Sequence, residues 1–379
     1  MLDGYSDPPR GPRVVLAPDA FRGSLTATEV VDRLAAGLSS ARPDAQVVHC
    51  PVADGGEGTL DAALSAGFRR HPVRATGPTG RPVESAVAVR DGVAVVEMAD
   101  ACGLIRVGSA RLNPLGASSR GAGDLVRAAL DAGCHKIVLA VGGSASTDGG
   151  AGMLQALGAR LLDADGIAVS PGGVGLGQLT RVDVSTLDPR LRTTKIVLAS
   201  DVDNPLLGPD GAASVYGPQK GASEADVKVL ERALTRWADQ VDPGAAQLPG
   251  AGAAGGVGFA AMAVLGARMR PGIEVVLDIV GLRDVVEGAD LVVTGEGRLD
   301  SQTLRGKAVA GVAAVGRAFS VPVVAVCGER RLDDAGVAAL GLRRVYALTD
   351  LEPAVERSVA DAGVLVQRVG QRIAADWLP

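Results

Sequence analysis

The sequence predicts an α/β protein in which a Rossmann-like parallel-sheet domain carries a second, inserted α/β domain. Three observations predict this fold. Short β-branched runs alternate with amphipathic segments through glycine-rich loops, which is typical of a parallel sheet with working loops at its strand ends. The 379 residues exceed what one hydrophobic core commonly organises. Regular strand–helix units at both ends enclose a less regular middle. We therefore expect a disordered tail at 1–12, one domain at 13–105 plus 286–379, and an inserted domain at 106–285.

Hydrophobic periodicity and turn residues justify each element of the first section. It is predicted to contain, in order, a buried strand at 14–17, an amphipathic helix from Thr26 or Thr28 to Leu38, a strand at 45–51, and a hairpin of strands 83–90 and 93–98 about Asp91-Gly92.

The same signals predict the elements of the middle and the end of the chain. In order, these are a helix at 124–132, a strand at 136–141, a helix at 153–157, a strand at 195–200, an exposed helix at 224–237, a helix near 259–265, strands at 291–294, 323–327 and 344–347 with helices between them, and a last helix from Glu352.

Composition excludes several classes of function. The 38 basic and 43 acidic residues give a net charge of −5, whereas a protein that binds a phosphate backbone has a basic patch or a high pI. Four Phe, two Trp and three Tyr residues leave little surface for stacking single-stranded nucleic acid. The uncharged stretch 243–267 is too rich in glycine for a membrane span. We expect a small-molecule substrate and no nucleic-acid or membrane partner, and the oligomeric state stays open.

Cysteine and histidine spacing indicates no zinc site. The four cysteines form no C-x-x-C pair, and the three histidines form no H-x-x-x-H pair. Unpaired cysteines indicate a reduced, cytoplasmic protein. Lysine accounts for five of the 38 basic residues, so a lysine that remains in a glycine-rich loop suggests a need for an ammonium group. Lys220, in 217–221 (GPQKG), and Lys307 are the two such lysines.

A glycine-rich loop at 142–150 follows the strand predicted at 136–141. Its glycines allow backbone N–H groups to approach an anion, and the following helix adds its dipole. We interpret the loop as a phosphate or carboxylate site rather than a flexible turn. Its candidate binding residues are Gly142, Gly143, Ser144, Ser146 and Asp148.

Carboxylates stand at the ends of three other predicted strands. The segment of Asp54, Gly55, Gly56 and Glu57 suits magnesium, a ribose hydroxyl or a helix cap. Asp201 directly follows a strand, where α/β enzymes place a base or a metal ligand.

The third charged strand end mixes both signs. It contains Glu296, Arg298, Asp300 and Lys307. There is no P-loop, and the G-x-G-x-x-G match at 250–255 follows a polar segment rather than a strand, so it fails the context of a dinucleotide site.

Seven motifs in order resemble the bacterial glycerate kinase family, of the glycerate 2-kinase type. They are 17–24 (APDAFRGS), 53–59 (ADGGEGT), 119–123 (SRGAG), 142–153 (GGSASTDGGAGM), 200–206 (SDVDNPL), 216–222 (YGPQKGA), and 294–300 (TGEGRLD) with Gly306-Lys307. The resemblance implies ATP-dependent phosphorylation of D-glycerate, usually at the 2-hydroxyl, and two α/β domains with one inserted in the other. The first motif typically carries a lysine where this chain has Arg22, a change that preserves the charge.

The resemblance suggests roles for these residues. We expect in-line phosphoryl transfer in an interdomain cleft, with Asp201 as the base and with Arg22, Lys307 or Arg298 neutralising phosphoryl and carboxylate groups. Asp19 and Ser24 of the first motif are further candidates for binding substrate or nucleotide. Mg²⁺ would bridge the ATP phosphates, with Asp201 and Glu296 as the first candidate ligands and Asp54 and Glu57 as others. Two alternatives remain: an NAD-dependent hydroxy-acid oxidoreductase and a non-catalytic metabolite sensor.

Overall fold

The computed structural model describes residues 11–108 and 112–379, so residues 1–10 of the expected tail lie outside the described residues. Its strands, numbered in chain order, are β1 (Arg13–Pro18), β2 (Gln46–His49), β3 (Arg69–Thr76), β4 (Pro82–Arg90), β5 (Val93–Glu97), β6 (Lys136–Ala140), β7 (Arg160–Leu162), β8 (Arg181–Asp183), β9 (Lys195–Ala199), β10 (Arg268–Arg270), β11 (Leu291–Leu299), β12 (Val323–Arg330) and β13 (Arg344–Ala347). Its helices are α1 (Ala27–Ala41), α2 (Thr59–Ser65), α3 (Met98–Cys102), α4 (Arg120–Asp131), α5 (Ala151–Ala156), α6 (Ala212–Tyr216), α7 (Glu224–Val241), α8 (Ala253–Ala263), α9 (Gly272–Val280), α10 (Leu282–Val286), α11 (Ala308–Ala318), α12 (Asp334–Leu340), α13 (Val355–Ala360) and α14 (Ala362–Trp377).

The chain divides into two compact units, and the second is inserted in the first. Unit 1 contains the residues up to Ala53 together with Val276–Pro379, and unit 2 is Asp54–Val275. The sheet of unit 1 has the order β13-β12-β11-β1-β2, and all of its strand pairs are parallel. The predicted fold class, a Rossmann-like α/β domain with an inserted α/β domain, is confirmed.

The boundaries of the inserted unit differ from those expected, 106 and 285. Residues 54–105 belong to unit 2 because β5 pairs in parallel with β6, with Val93 opposite Lys136. β4 and β3 then extend the same sheet by antiparallel pairing. The six strands of unit 2 follow the order β10-β9-β6-β5-β4-β3. The sequence suggested the hairpin but not β3, and it gave no sign of which sheet the hairpin joins.

Local sequence signals explain how several elements begin. Thr26 and Glu29 form a capping box at the start of α1, which settles the choice between the two threonines. Ser223 and Asp226 form another at the start of α7. The predicted hairpin turn at Asp91-Gly92 has positive φ at both residues, as a two-residue turn between twisted strands requires. Across the described ranges, no helix is both long and apolar enough to span a membrane.

The core of unit 2 is built mainly from small and branched aliphatic side chains, with two large rings among them. Trp237 of α7 and Phe259 of α8 are buried and meet edge to face, with ring centroids 6.1 Å apart. The Trp237 indole N–H donates to the carbonyl oxygen of Gly149, 2.9 Å away. This hydrogen bond ties Gly149, near the end of the glycine-rich loop, to the core of unit 2.

Candidate active site

Glycine backbones hold three loops of unit 2 in direct contact. A Cβ at Gly55 would lie 2.6 Å from the Cα of Gly272, and a Cβ at Gly142 would lie 2.6 Å from the Cα of Gly56. Real Cβ atoms do not approach other carbons so closely, so side chains at these glycines would push the loops apart. The loop that contains Asp54 is therefore fixed between the glycine-rich loop after β6 and the start of α9.

Asp201 lies at the same strand edge, directly after Ser200, which follows β9. Its Oδ1 accepts a hydrogen bond of 2.6 Å from the Gly272 N–H at the start of α9. Although Asp201 is solvent-exposed, the protein around its carboxylate desolvates it and raises its pKa to about 6, and the negative charges of Asp54 and Glu274 act in the same direction. Asp201 is thus ionised at neutral pH and more basic than an ordinary aspartate, which suits a general base.

Asp148 is a fully buried member of the glycine-rich loop. Its carboxylate accepts hydrogen bonds from Ser119 N (2.8 Å) and Ser119 Oγ (2.9 Å) at the start of α4, and from Gly150 N and Gly152 N (both 3.2 Å) at the start of α5. Burial raises its pKa, while these hydrogen bonds oppose the rise. One carboxylate therefore holds two helix starts together and lies away from solvent.

Lys220 is also buried, at 2% exposure, and contacts the same loop. Its Nζ donates to Ser144 Oγ (2.9 Å) and to the Ser146 carbonyl oxygen. Burial lowers the pKa of Lys220 to about 7, and the charge of Asp148 partly offsets this. Ser146 Oγ and Thr147 Oγ1 are buried with no hydrogen-bond partner in the described part of the chain. Of the glycine-rich loop, Gly142 and Gly143 are the part that solvent reaches.

The glycine- and alanine-rich segment covers Lys220. Inside α8, three successive residues, Ala254, Gly255 and Gly256, have positive φ. Gly255 accepts a hydrogen bond of 2.9 Å from Gly149 N, and a Cβ at Gly255 would lie 2.9 Å from Lys220 Nζ. This left-handed turn gives the segment a purpose that the sequence did not reveal. No strand runs into it in the described structure, so the structural context of a dinucleotide site is missing.

Another contact that the sequence did not suggest supports the Asp54 loop. Glu97 ends β5 and is 6% exposed, and its Oε2 accepts a hydrogen bond of 2.9 Å from Leu60 N in the first turn of α2. Burial raises the pKa of Glu97 to about 7. The signal available in the sequence was an acid at the end of an apolar run, VAVVE.

In unit 1, the first motif forms a turn at the carboxyl end of β1. Asp19 N donates to Gly295 O of β11 (2.8 Å), and Asp19 Oδ1 accepts from Ala20 N (2.6 Å). Ser24 Oγ donates to Phe21 O (3.0 Å). Asp19 and Ser24 therefore stabilise the turn through these hydrogen bonds. Arg22 lies in the same turn and is exposed.

The charged loop after β11 lies beside that turn, since β1 and β11 are neighbouring strands. Glu296 is 8% exposed and accepts a hydrogen bond of 2.5 Å from Thr303 Oγ1, which in turn accepts from Asp300 N (3.1 Å). Lys307 directly precedes α11, is half-buried, and donates to Gln302 Oε1 (3.0 Å).

Arg298, in the same strand, is exposed and forms an ion pair of 3.5 Å with Glu329. Among the described side chains of unit 1, Arg22, Arg298 and Lys307 are accessible cations at the carboxyl ends of β1 and β11. Such a group suits phosphate or carboxylate anions.

The acidic side chains offer oxygen ligands but no complete metal cage. Within residues 11–108 and 112–379, no group of three or more His, Cys, Asp or Glu residues could hold a metal ion. Magnesium is commonly held by one or two carboxylates with water and phosphate oxygens completing its shell. Asp54 and Asp201 in unit 2, and Glu296 in unit 1, have the donor chemistry for that arrangement.

Comparison with known proteins identifies the family. Residues 14–378 match the model of the Glycerate kinase family. The chain belongs to the glycerate kinase family. It is 42% identical to a glycerate kinase of Bacillus subtilis (strain 168), over 96% of this chain and 97% of that protein. It is also 42% identical to a glycerate 2-kinase of Escherichia coli (strain K12), with the same coverage of both.

A solved structure agrees with these relatives. The crystal structure of a candidate glycerate kinase 2 from Salmonella typhimurium LT2 superposes with a TM-score of 0.82 at 42% identity, covering 96% of this chain and 98% of that one. Glycerate kinases are phosphotransferases, so the expectation of a kinase is confirmed, and family membership does not favour the oxidoreductase alternative.

Proposed function

We propose that this glycerate kinase transfers the γ-phosphoryl group of ATP to the 2-hydroxyl of D-glycerate, giving 2-phosphoglycerate and ADP. The observation that carries the proposal is Asp201, an accessible carboxylate held by the start of α9, with a pKa of about 6. Phosphoryl transfer needs a group that orients the acceptor hydroxyl and takes its proton, and Asp201 has the charge and basicity for this.

In the proposed step, the hydroxyl oxygen of glycerate attacks the γ-phosphorus as the bond to the β-phosphate oxygen breaks. The hydroxyl proton passes to Asp201, and ADP leaves with the electrons of the broken bond. Gly272 N keeps its hydrogen bond to the Asp201 carboxylate, which fixes the direction of the accepting oxygen. Desolvation by the surrounding protein, aided by the charge of Asp54, raises the pKa of Asp201 and so keeps it basic.

Cationic and backbone groups neutralise the transferred charge. We assign Arg22, Arg298 and Lys307 to phosphate oxygens, and the exposed backbone of Gly142 and Gly143 to a phosphate or carboxylate.

A bound Mg²⁺ would reduce the negative charge of the nucleotide phosphates. Asp54 is the carboxylate of unit 2 that we assign to hold it, and Glu296 is the corresponding candidate within unit 1. We exclude Asp201 from this set because an oxygen that coordinates a metal is a poor proton acceptor. Glu57, exposed beside Asp54, remains a candidate for contact with nucleotide or substrate.

The buried residues of the site are given positioning roles. Asp148, Lys220, Ser144 and Ser146 are almost inaccessible, so we propose that they shape the glycine-rich loop rather than touch substrate. Asp19, Ser24 and Asp300 play the same part for the loops of unit 1. The four cysteines are free thiols, which suits the reducing cytoplasm that we propose for the enzyme.

The decisive experiment is ADP release by the purified full chain with ATP, Mg²⁺ and a panel of small hydroxy acids. We expect turnover with D-glycerate, and phosphorus NMR should place the phosphate on the 2-oxygen. A 3-phosphoglycerate product would contradict the regiochemistry alone. NADH formation with NAD⁺ and glycerate would favour the oxidoreductase, and binding of glycerate without turnover would favour the sensor.

A further inference from the structure

Beyond the residues assigned so far, we propose that Arg270 binds the carboxylate of the acceptor and thereby selects a hydroxy acid over a neutral alcohol. The inference rests on the proposed function, because it assumes that Asp201 receives the proton of a hydroxyl next to a carboxylate. The argument depends on the position of Arg270 beside Asp201, on the charges around Asp201, and on the chemistry of the acceptor.

Strand pairing places Arg270 at the strand edge where Asp201 lies. Arg270 is the last residue of β10, which pairs in parallel with β9 so that Arg270 is opposite Ala199. Ser200 N donates to the Arg270 carbonyl oxygen (3.2 Å). The chain then continues through Pro271 to Gly272, whose N–H holds the Asp201 carboxylate. Both residues thus stand at the ends of neighbouring strands.

The guanidinium of Arg270 pairs with a carboxylate whose charge also acts on Asp201. It forms an ion pair of 3.6 Å with Glu274, in which the side chains are 42% and 61% exposed. The charge of Glu274 is one of those that raise the pKa of Asp201, so Glu274 acts on both residues. A long, exposed ion pair of this kind contributes little to stability.

The charged residues of the loops joined at this edge are mainly acidic. The loops are 54–58, 142–144, 200–204 and 270–274, which meet at Gly55 and Gly272, at Gly56 and Gly142, and through the hydrogen bond from Gly272 N to Asp201. Besides Asp201, their acidic residues are Asp54, Glu57, Asp203 and Glu274, and Arg270 is their one basic residue. Lys220 is buried and engaged by Ser144, so it is not accessible to a substrate.

The chemistry of the acceptor adds the last step. In a 2-hydroxy acid, the carbon that bears the reacting hydroxyl also bears the carboxylate. A cationic partner beside the base is therefore favourable, because the acidic side chains near Asp201 repel the substrate anion. A planar guanidinium can hold both carboxylate oxygens at once, which orients the hydroxyl toward Asp201.

The test compares Arg270→Gln and Arg270→Lys with a matched control, Arg268→Gln. Arg268 lies two residues earlier in β10, at the other end of the strand, and is exposed. Steady-state assays would give KM for D-glycerate and for ATP separately, with melting curves to verify folding. We expect Arg270→Gln to raise the glycerate KM about 10- to 100-fold, the range for a lost charged hydrogen bond, with the ATP KM within about twofold.

Several outcomes decide the proposal. Arg270→Lys should recover part of the loss, because it keeps the charge without the planar fork, and Arg268→Gln should resemble the wild type. An unchanged glycerate KM in Arg270→Gln would overturn the assignment, as would equal losses for glycerate and ATP in a folded variant. If the wild type itself does not phosphorylate glycerate, the proposed function fails, and that result is distinct from a failure at Arg270.

Discussion

Burying the ammonium group of Lys220 has a cost that depends on pH. Its pKa falls from an ordinary 10.5 to about 7 in the folded protein. A difference of about 3.5 pKa units corresponds to about 5 kcal/mol between the protonation states. Between pH 7 and 10.5, the unfolded chain binds a proton that the folded chain does not. The free energy of unfolding should therefore rise with pH in this range, by up to about 1.4 kcal/mol per pH unit, and lose this contribution as pH falls toward 7.

Replacing Lys220 with methionine removes this titration and keeps an unbranched side chain in the buried position. From pH 7 to pH 9, the wild type should gain about 2 kcal/mol of unfolding free energy that Lys220→Met does not gain. The variant also leaves Ser144 Oγ and the Ser146 carbonyl oxygen without their donor, which costs about 1–3 kcal/mol for each group. The absolute stability of Lys220→Met therefore combines a gain from removing a buried charge with a loss of hydrogen bonds. The dependence of the unfolding free energy on pH, in contrast, reports on the titration of Lys220 alone.

Urea unfolding at pH 7, 8 and 9 measures this slope. Trp237 reports on unit 2, and a Trp377→Phe background removes the signal of the tryptophan in unit 1. Lys228→Met is the matched control, since Lys228 is exposed on α7 and its substitution should leave the wild-type slope unchanged. Equal slopes in the wild type and Lys220→Met would refute the reasoning, because the buried lysine would then titrate as it does in water.

Three further variants test the proposed site. Asp201→Asn should lower kcat by at least about 100-fold, while calorimetry should show that ATP still binds. In the wild type, kcat/KM should fall as the pH drops below about 6, where Asp201 becomes protonated. Near-normal turnover of the variant would exclude the base role. Gly142→Ala should impair activity because its Cβ would meet Gly56, whereas Gly177→Ala, which meets nothing within 4 Å, should be silent in the same assay. Arg22→Lys should keep most of the activity, and complete loss would show that phosphate binding needs the guanidinium fork.

The sequence predicted the strand edges well because glycine-rich loops and carboxylates mark them locally. A parallel α/β fold places Asp54 and Asp201 after the ends of strands. In the structure they are close enough for the charge of Asp54 to raise the pKa of Asp201. What joins their loops is the contact of Gly55 with Gly272, two residues far apart in the chain. A local pattern can show that glycine is present, but it cannot show which backbone approaches it.

Burial was the property that the sequence could not supply. Asp148 and Lys220 look like ligand-binding residues in their motifs, yet both are enclosed by distant segments, Asp148 by Ser119 and Lys220 by Gly255. The observed boundary between the units differs from the predicted one for a related reason. The pairing of β5 with β6 spans the predicted boundary at 105, and strand pairing between distant segments leaves no local signal.

The nested order of the two units has a consequence for biosynthesis. All of unit 2 lies within Asp54–Val275, so it can fold while the rest of the chain is still being made. Unit 1 must wait, because β11, the central strand of its sheet, begins at Leu291 and pairs with β1. Helix α1 also packs closely against α14, with Gly37 of α1 facing Gly370 of α14, so α1 lacks this partner until α14 has been made. The β1–α1–β2 segment therefore leaves the ribosome before unit 2 but reaches its native packing after it, and its apolar surface needs protection in the interval.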